Sequence, residues 1–265
     1  MVLWHFLFFE MEDGGSKDTW SIIAKRSYDL SRRLYQVMLA FCKQKRKGHK
    51  RKVEMSLVRR VQCNLTAITS LSVLSFKKNS LYFKFPVGLL LRSCLMDTIY
   101  ALYFHSMTAK EAEEEIEVLS KDYVKSLDER FEVYKDKIAD VGLPEFFLDD
   151  IYNSACEDAF IRYLTYEKDD SSYKLKAIKS KEIRTIHDTW PENITVSRMV
   201  DFVRSKMKHT ACVNRLNSYY KYFSQYEHFS EEGHGDSLAP FGADNVSFPL
   251  AIDALEKGLK IIVKI

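Results

Sequence analysis

The sequence predicts an all-α protein, a single bundle of seven to nine helices around a central apolar helix at about 84–106. Three observations carry this reading. Nine Gly and five Pro in 265 residues amount to roughly 5%, against about 12% in average chains. That is too few turn residues for the many tight connections of a sandwich, barrel or propeller. Apolar side chains recur at spacings of three and four over most of the length, which is the helical period. Finally, Val87–Phe104 is apolar on every side, as a helix buried all round must be. With 46% hydrophobic and 29% charged residues, the chain has the balance and the length to build a substantial core.

Taken in order, residues 1–16 read as a flexible leader, and the helical domain covers 17–265. Val2–Phe9 is apolar but short, has no basic residue ahead of it, and runs into Glu10-Met11-Glu12-Asp13, which does not fit a secretion signal. Asp18–Cys42 is expected to be helical, with Ile22, Ile23, Leu30, Leu34, Val37, Met38 and Phe41 on one broad face. A basic loop follows at 43–52. A second helix, about 53–76, repeats Leu57, Val61, Leu65, Ile68, Leu71 and Leu74. Asn79-Ser80 breaks the chain, and Pro86 stands near the start of the third helix. Thr108-x-x-Glu111 forms a capping box that opens a fourth helix to about Ala139. Gly142-Leu143-Pro144-Glu145 is a stop and a start, and the fifth helix runs to about Tyr166, ended by Asp169-Asp170-Ser171-Ser172. Tyr173–His187 reads as a further helix and 188–193 as a loop. Helices at about 195–208, 211–231 and 249–263 complete the chain.

Forty basic against 37 acidic side chains leave +3, too near neutral to imply a nucleic-acid or membrane partner by itself. Arg92 and Asp97 interrupt the longest apolar run, and each costs about 2.5–3.5 kcal/mol at a bilayer centre. No membrane partner is expected. Five Cys (42, 63, 94, 156 and 212) with no CxxC pair suggest reduced, buried thiols in a cytoplasmic protein. No P-loop, Gly-x-Gly-x-x-Gly, Gly-x-Ser-x-Gly or His-Glu-x-x-His occurs, so no cofactor is expected. His228, Glu231, Glu232 and His234 match no established metal spacing, and no metal site is assigned.

Three features can carry chemistry. Arg92 lies inside the apolar helix on the face of Met96, Ile99 and Tyr103, and a charge there must be paired or line a cavity. Asp97 is rotated about 140° from it, so each needs a partner from elsewhere. A buried ion pair and a polar functional pocket both satisfy that demand. The second feature is the helix with Tyr219, Tyr222, Phe223 and Tyr226 as a core stripe. Tyr220, Ser224 and His228 recur there at i, i+4 and i+8, which stacks their polar tips on an adjacent face. The third is the basic loop. Lys43, Lys45, Arg46, Lys47, Lys50, Arg51 and Lys52 could each neutralise a phosphate, but no aromatic is interleaved among them to stack bases.

Arg-Ser-x-x-x-Asp (Arg92 to Asp97) in a central apolar helix, followed downstream by Tyr-x-x-x-Ser-x-x-x-His (Tyr220, Ser224, His228), resembles all-helical bacterial proteins near the HEPN superfamily of nucleotide-binding and RNA-cleaving bundles. The likeness spans about 20–232. The chain departs from the family's Arg-Ser-x-x-Glu, having Met96 at the position of the acid and Asp97 after it. Arg204 and His209 formally satisfy the superfamily's Arg-x4–6-His, at a frequency chance supplies in this composition. The resemblance implies a catalytic set of Arg92, Asp97, Tyr220, Ser224 and His228 in a metal-independent ribonuclease of a defence or toxin–antitoxin system, with RNA as partner. The alternative is a non-catalytic helical module that forms a homodimer or binds another protein.

Overall fold

A computed structural model describes residues 14–44, 48–78, 81–116, 166–169, 172–175, 194–208, 210–226 and 244–265. The fold is all-α, as the sparse turn residues and the apolar period imply. Seven helices occur among the described residues: α1 Gly14–Cys42, α2 His49–Lys78, α3 Lys84–Ser106, α4 over 109–116, α5 Val196–Lys206, α6 Thr210–Ser224 and α7 Asp244–Ile262. Contacts within the chain group into two compact units, Met1–Met107 with Thr195–Ile265, and Thr108–Ile194.

Within the first unit α3 is the hub, packed against α2, α5, α6 and α7. Val87, Leu91, Leu95, Ile99 and Leu102 are fully buried on it, so the helix read as apolar all round does fill the centre. α3 is also long and apolar enough to cross a membrane, but 67% of its most apolar stretch is buried inside the fold. Two glycines set how closely its neighbours approach. A Cβ at Gly88 would stand 2.7 Å from the Tyr226 ring. One at Gly258 on α7 would stand 2.9 Å from both Leu216 and Thr98.

α1 and α2 meet along a seam that is polar beside its apolar core. Thr69 Oγ1 donates to Ser27 Oγ (3.0 Å), Ser31 and Thr66 share a hydroxyl–hydroxyl bond (2.8 Å), and Gln62 Nε2 donates to Ser31 Oγ (3.2 Å). Ile23, Leu30, Leu34, Leu57, Val61, Leu65 and Ile68 are buried as the spacing predicts, whereas Ile22 and Leu74 are exposed. Towards the end of α2 the pattern inverts. Ser72 and Ser75 are buried, and Val73, Leu74 and Phe76 face out.

Several boundaries differ from expectation. α1 begins at Gly14 and takes in the Gly14-Gly15 pair assigned to the leader. α2 begins at His49, so the last part of the expected basic loop is its first turn. α7 begins at Asp244, not 249, and carries Pro249 inside; Arg26 Nη1 donates to the Pro249 carbonyl at 3.2 Å. α6 ends at Ser224, seven residues early. There Gln225 N and Tyr226 N bond carbonyls three residues back, and Tyr226 is drawn into the core against Phe223 and Phe248.

In the second unit the capping box forms as read. Glu111 N donates to Thr108 Oγ1 (3.2 Å) and Thr108 N to Glu111 Oε2 (2.7 Å). A hairpin replaces the expected end of the fifth helix and start of the next. Strands β1 (Tyr166–Asp169) and β2 (Ser172–Leu175) pair antiparallel, Tyr166 opposite Leu175 and Asp169 opposite Ser172. Two short runs flanking an Asp/Ser cluster are the local signature of that turn. The leader before Gly14, the fourth-helix stripe beyond Ile116, the rest of the fifth helix and the 188–193 loop lie outside the described residues.

Candidate functional site

The third helix places Arg92 half-buried against α6. Its Nε donates to Ser224 Oγ and its Nη2 to Tyr220 OH, both at 3.3 Å. The guanidinium carbon also lies 5.2 Å from the centre of the Tyr220 ring, a distance at which ring and cation attract. Ser224 Oγ in turn donates to the Tyr220 carbonyl at 2.8 Å. The hydroxyl is thereby fixed, its proton on the backbone and its lone pair towards the arginine. Tyr220 and Ser224, one turn apart on α6, thus grip the guanidinium from ring face and hydroxyls together. An arginine fixed this way is planar and permanently charged, and attraction for a phosphate or carboxylate is the chemistry it can supply.

Of the five residues drawn together by motif, the structure joins Arg92, Tyr220 and Ser224. His228, with the neighbouring Glu227, lies outside the described residues. Because α6 stops at Ser224, the helical spacing from Tyr220 does not extend unbroken to position 228. Asp97 faces a different helix. Its Oδ1 pairs with Arg60 Nη2 of α2 at 3.1 Å, while its buried Oδ2 has no hydrogen-bond partner among the described residues. Burial pushes the Asp97 carboxyl up to about 6, with the Arg60 charge pulling the other way. Cys94, one turn back, is fully buried; burial first, then the nearby Asp97 charge, push its thiol up. Asn64 and Ser93 close this α2–α3 seam through a 3.2 Å hydrogen bond.

The basic cluster divides. Lys50 Nζ donates to the carbonyls of His105 (2.9 Å) and Met107, at the end of α3. Arg51 Nη1 donates to the Ile262 carbonyl at the end of α7 (3.0 Å) and to Glu54 Oε2. These two cations therefore satisfy carbonyls that helix ends leave open. Glu54 is buried with His105 Nδ1 at 3.4 Å. Burial pushes its carboxyl up, but the hydrogen bonds from His105 and Arg51 outweigh it and hold the group below its ordinary value. Lys43 and Lys52 face solvent, and 45–47 lie outside the described residues. Arg204, of the Arg-x4–6-His match, is tied at 2.8 Å to both Asp201 and Asn214; His209 is not among the described side chains. Cys42 and Cys63 are exposed, contrary to the expected burial, because each falls on the solvent side of its helix.

One feature escaped the sequence reading. Residues 14–78 hold 16 Lys and Arg against three Asp and Glu. The whole-chain balance of +3 conceals this, and a windowed charge count would have found it.

Fold and site together define an all-α protein with an arginine–tyrosine–serine contact between two packed helices and a strongly basic N-terminal stretch. Comparison with protein-family models, curated proteins and solved structures finds no match for this chain.

Proposed function

We propose that this chain is a HEPN-like, metal-independent RNA-binding and RNA-cleaving protein of the cytoplasm, acting in a defence or toxin–antitoxin setting. The observation that carries the reading is the convergence of Arg92 with Tyr220 and Ser224 from separate helices. The 16-to-three excess of cations in 14–78 supports a polyanionic partner. In this reading Arg92 holds two oxygens of the scissile phosphate and stabilises the charge that develops there. His228 takes the proton of the ribose 2′-hydroxyl as that oxygen attacks phosphorus, and a proton returns to the departing 5′-oxygen. Tyr220 and Ser224 orient the guanidinium. Asp97 has no part in it, being engaged by Arg60.

The test is incubation of the purified chain with total RNA in the presence of a metal chelator. Wild type is expected to cleave, His228→Ala to be inactive, and Arg92→Gln to fall about 10²–10³-fold while keeping its helical circular dichroism. Intact, unbound RNA with wild type, or full cleavage by Arg92→Gln, overturns the reading.

One observation favours a second reading, a non-catalytic module that dimerises or binds a protein. Val73, Leu74 and Phe76 are exposed beside the buried Ser72 and Ser75, an apolar surface that a partner could cover. A solution mass of two chains, lost on Phe76→Ser, is the result expected from it.

A further inference from the structure

The outward face of α1 alternates cation and aromatic. Lys25, Tyr28, Arg32 and Tyr35 follow one another at spacings of three, four and three, which keeps them on one side of a helix. Tyr28 and Tyr35 are 54% and 50% exposed. They stand two turns apart, about 10.5 Å along the axis, so their rings form two separate platforms on nearly the same line. Neither ring stacks on another among the described residues. Beside Tyr28 an open groove of about 380 Å³ runs between α1 and α2, lined by Ser21, Ala24 and Lys25 on one side and Thr69, Val73 and Phe76 on the other. Beneath it, the Ser27–Thr69 and Ser31–Thr66 bonds hold the two helices in register, so the platforms sit on a braced surface.

We infer that this face is a track for single-stranded RNA, with bases stacked on Tyr28 and Tyr35 and phosphates held by Lys25, Arg32 and Arg59. The inference rests on the RNA reading above and names how that partner is gripped. Charge complementarity selects the occupant. Lys25, Arg32 and Arg59 are exposed and form no ion pair among the described residues, and residues 14–78 carry 16 cations to three carboxylates. A protein helix in a groove needs an unbroken apolar stripe, whereas here a cation interrupts the aromatics at each turn. Stacking on tyrosine within a basic groove is instead how single strands are held without sequence preference.

Fluorescence anisotropy with labelled oligouridine and oligoadenosine 20-mers, and with an RNA duplex of equal length, tests the track. Single strands are expected to bind more tightly than duplex. Tyr28→Ala and Tyr35→Ala should each weaken single-strand binding about 5- to 100-fold, and Tyr28→Phe should retain it. Arg32→Gln should lower the slope of log affinity against log salt by about 0.7. Both tyrosines are exposed, so circular dichroism should be unchanged. If wild type binds RNA and Arg92→Gln loses it, but the Tyr28→Ala/Tyr35→Ala double variant binds like wild type, the track is overturned and the RNA reading stands. If wild type binds no single strand, both fall. A dimer that the double variant dissolves, with no effect of either RNA, also overturns the track and makes the face a protein interface.

Discussion

Asp97→Asn should stabilise this protein at neutral pH, and the gain should fade in acid. The Asp97 side chain is 2% exposed, its Oδ2 has no hydrogen-bond partner among the described residues, and Arg60, the cation it pairs with there, is itself 58% exposed. Desolvation therefore exceeds the attraction, and the carboxyl sits at about 6 against an ordinary 3.8. A folded-state value above the unfolded one means that the native chain binds more protons between about pH 4 and 6. Stability falls as pH rises through that window. Two units at about 1.4 kcal/mol each give a cost of about 3 kcal/mol, fully present above pH 6 and absent below pH 4. Asparagine keeps the size and the oxygen that accepts from Arg60, and it carries no charge to desolvate. Urea unfolding of wild type and variant at pH 4, 5, 6 and 7.5 should show curves that coincide at pH 4 and diverge by up to about 3 kcal/mol at pH 7.5, the variant being the more stable. Arg60→Gln should move wild type the other way at pH 7.5, since it removes the attraction that opposes desolvation. An Asp97→Asn variant that is less stable at pH 7.5, or a difference independent of pH, would refute the reasoning.

Two further outcomes follow from packing and from helix ends. Gly88→Ala should cost about 1–3 kcal/mol in urea unfolding, because its methyl would stand 2.7 Å from the buried Tyr226 ring, which must then shift. Lys50→Met should lower stability by about 1–2 kcal/mol through the opened carbonyls of His105 and Met107. It should leave RNA affinity unchanged, whereas Lys52→Gln, exposed and outside those contacts, should leave stability unchanged.

What the sequence made legible was whatever a helix decides locally, plus one tertiary contact. A charge in an all-apolar helix must find a polar face, and Tyr220 and Ser224 formed one on a helix whose other aromatics were plainly core. That is why the resemblance that grouped Arg92 with Tyr220 and Ser224 pointed to a real contact. Asp97's partner could not, since Arg60 looks like any surface arginine until α2 is laid beside α3. The start of α2 was also hidden. His49–Lys52 reads as loop composition, yet Lys50 and Arg51 reach carbonyls of α3 and α7 that only the folded chain brings near. Early termination of α6 has the same origin: Tyr226 is taken into the space that Gly88 leaves, and the helix tightens to let it in. At the end of α2 the apolar period persists in sequence while the buried face passes to Ser72 and Ser75, so periodicity alone pointed the wrong side inward.

The basic residues of 14–78 separate by the same logic into two populations. Arg26, Lys50 and Arg51 donate to backbone carbonyls of other helices, Arg33 pairs with Glu256 at 2.9 Å, and Arg60 pairs with Asp97. These hold the fold, and the Arg33 hydrogen bond is the main reason the Glu256 carboxyl is held down to about 2. Lys17, Lys25, Arg32, Lys43, Lys52, Arg59, Lys77 and Lys78 are exposed instead. Of the three carboxylates in the stretch, Glu54 is buried and already bonded, which leaves Asp18 and Asp29 to oppose them at the surface. Among the described residues of this stretch, an approaching polyanion therefore meets eight such outward cations and two anions, a ratio that the formal +3 of the whole chain does not convey. Raising salt should weaken that attraction by screening these exposed charges.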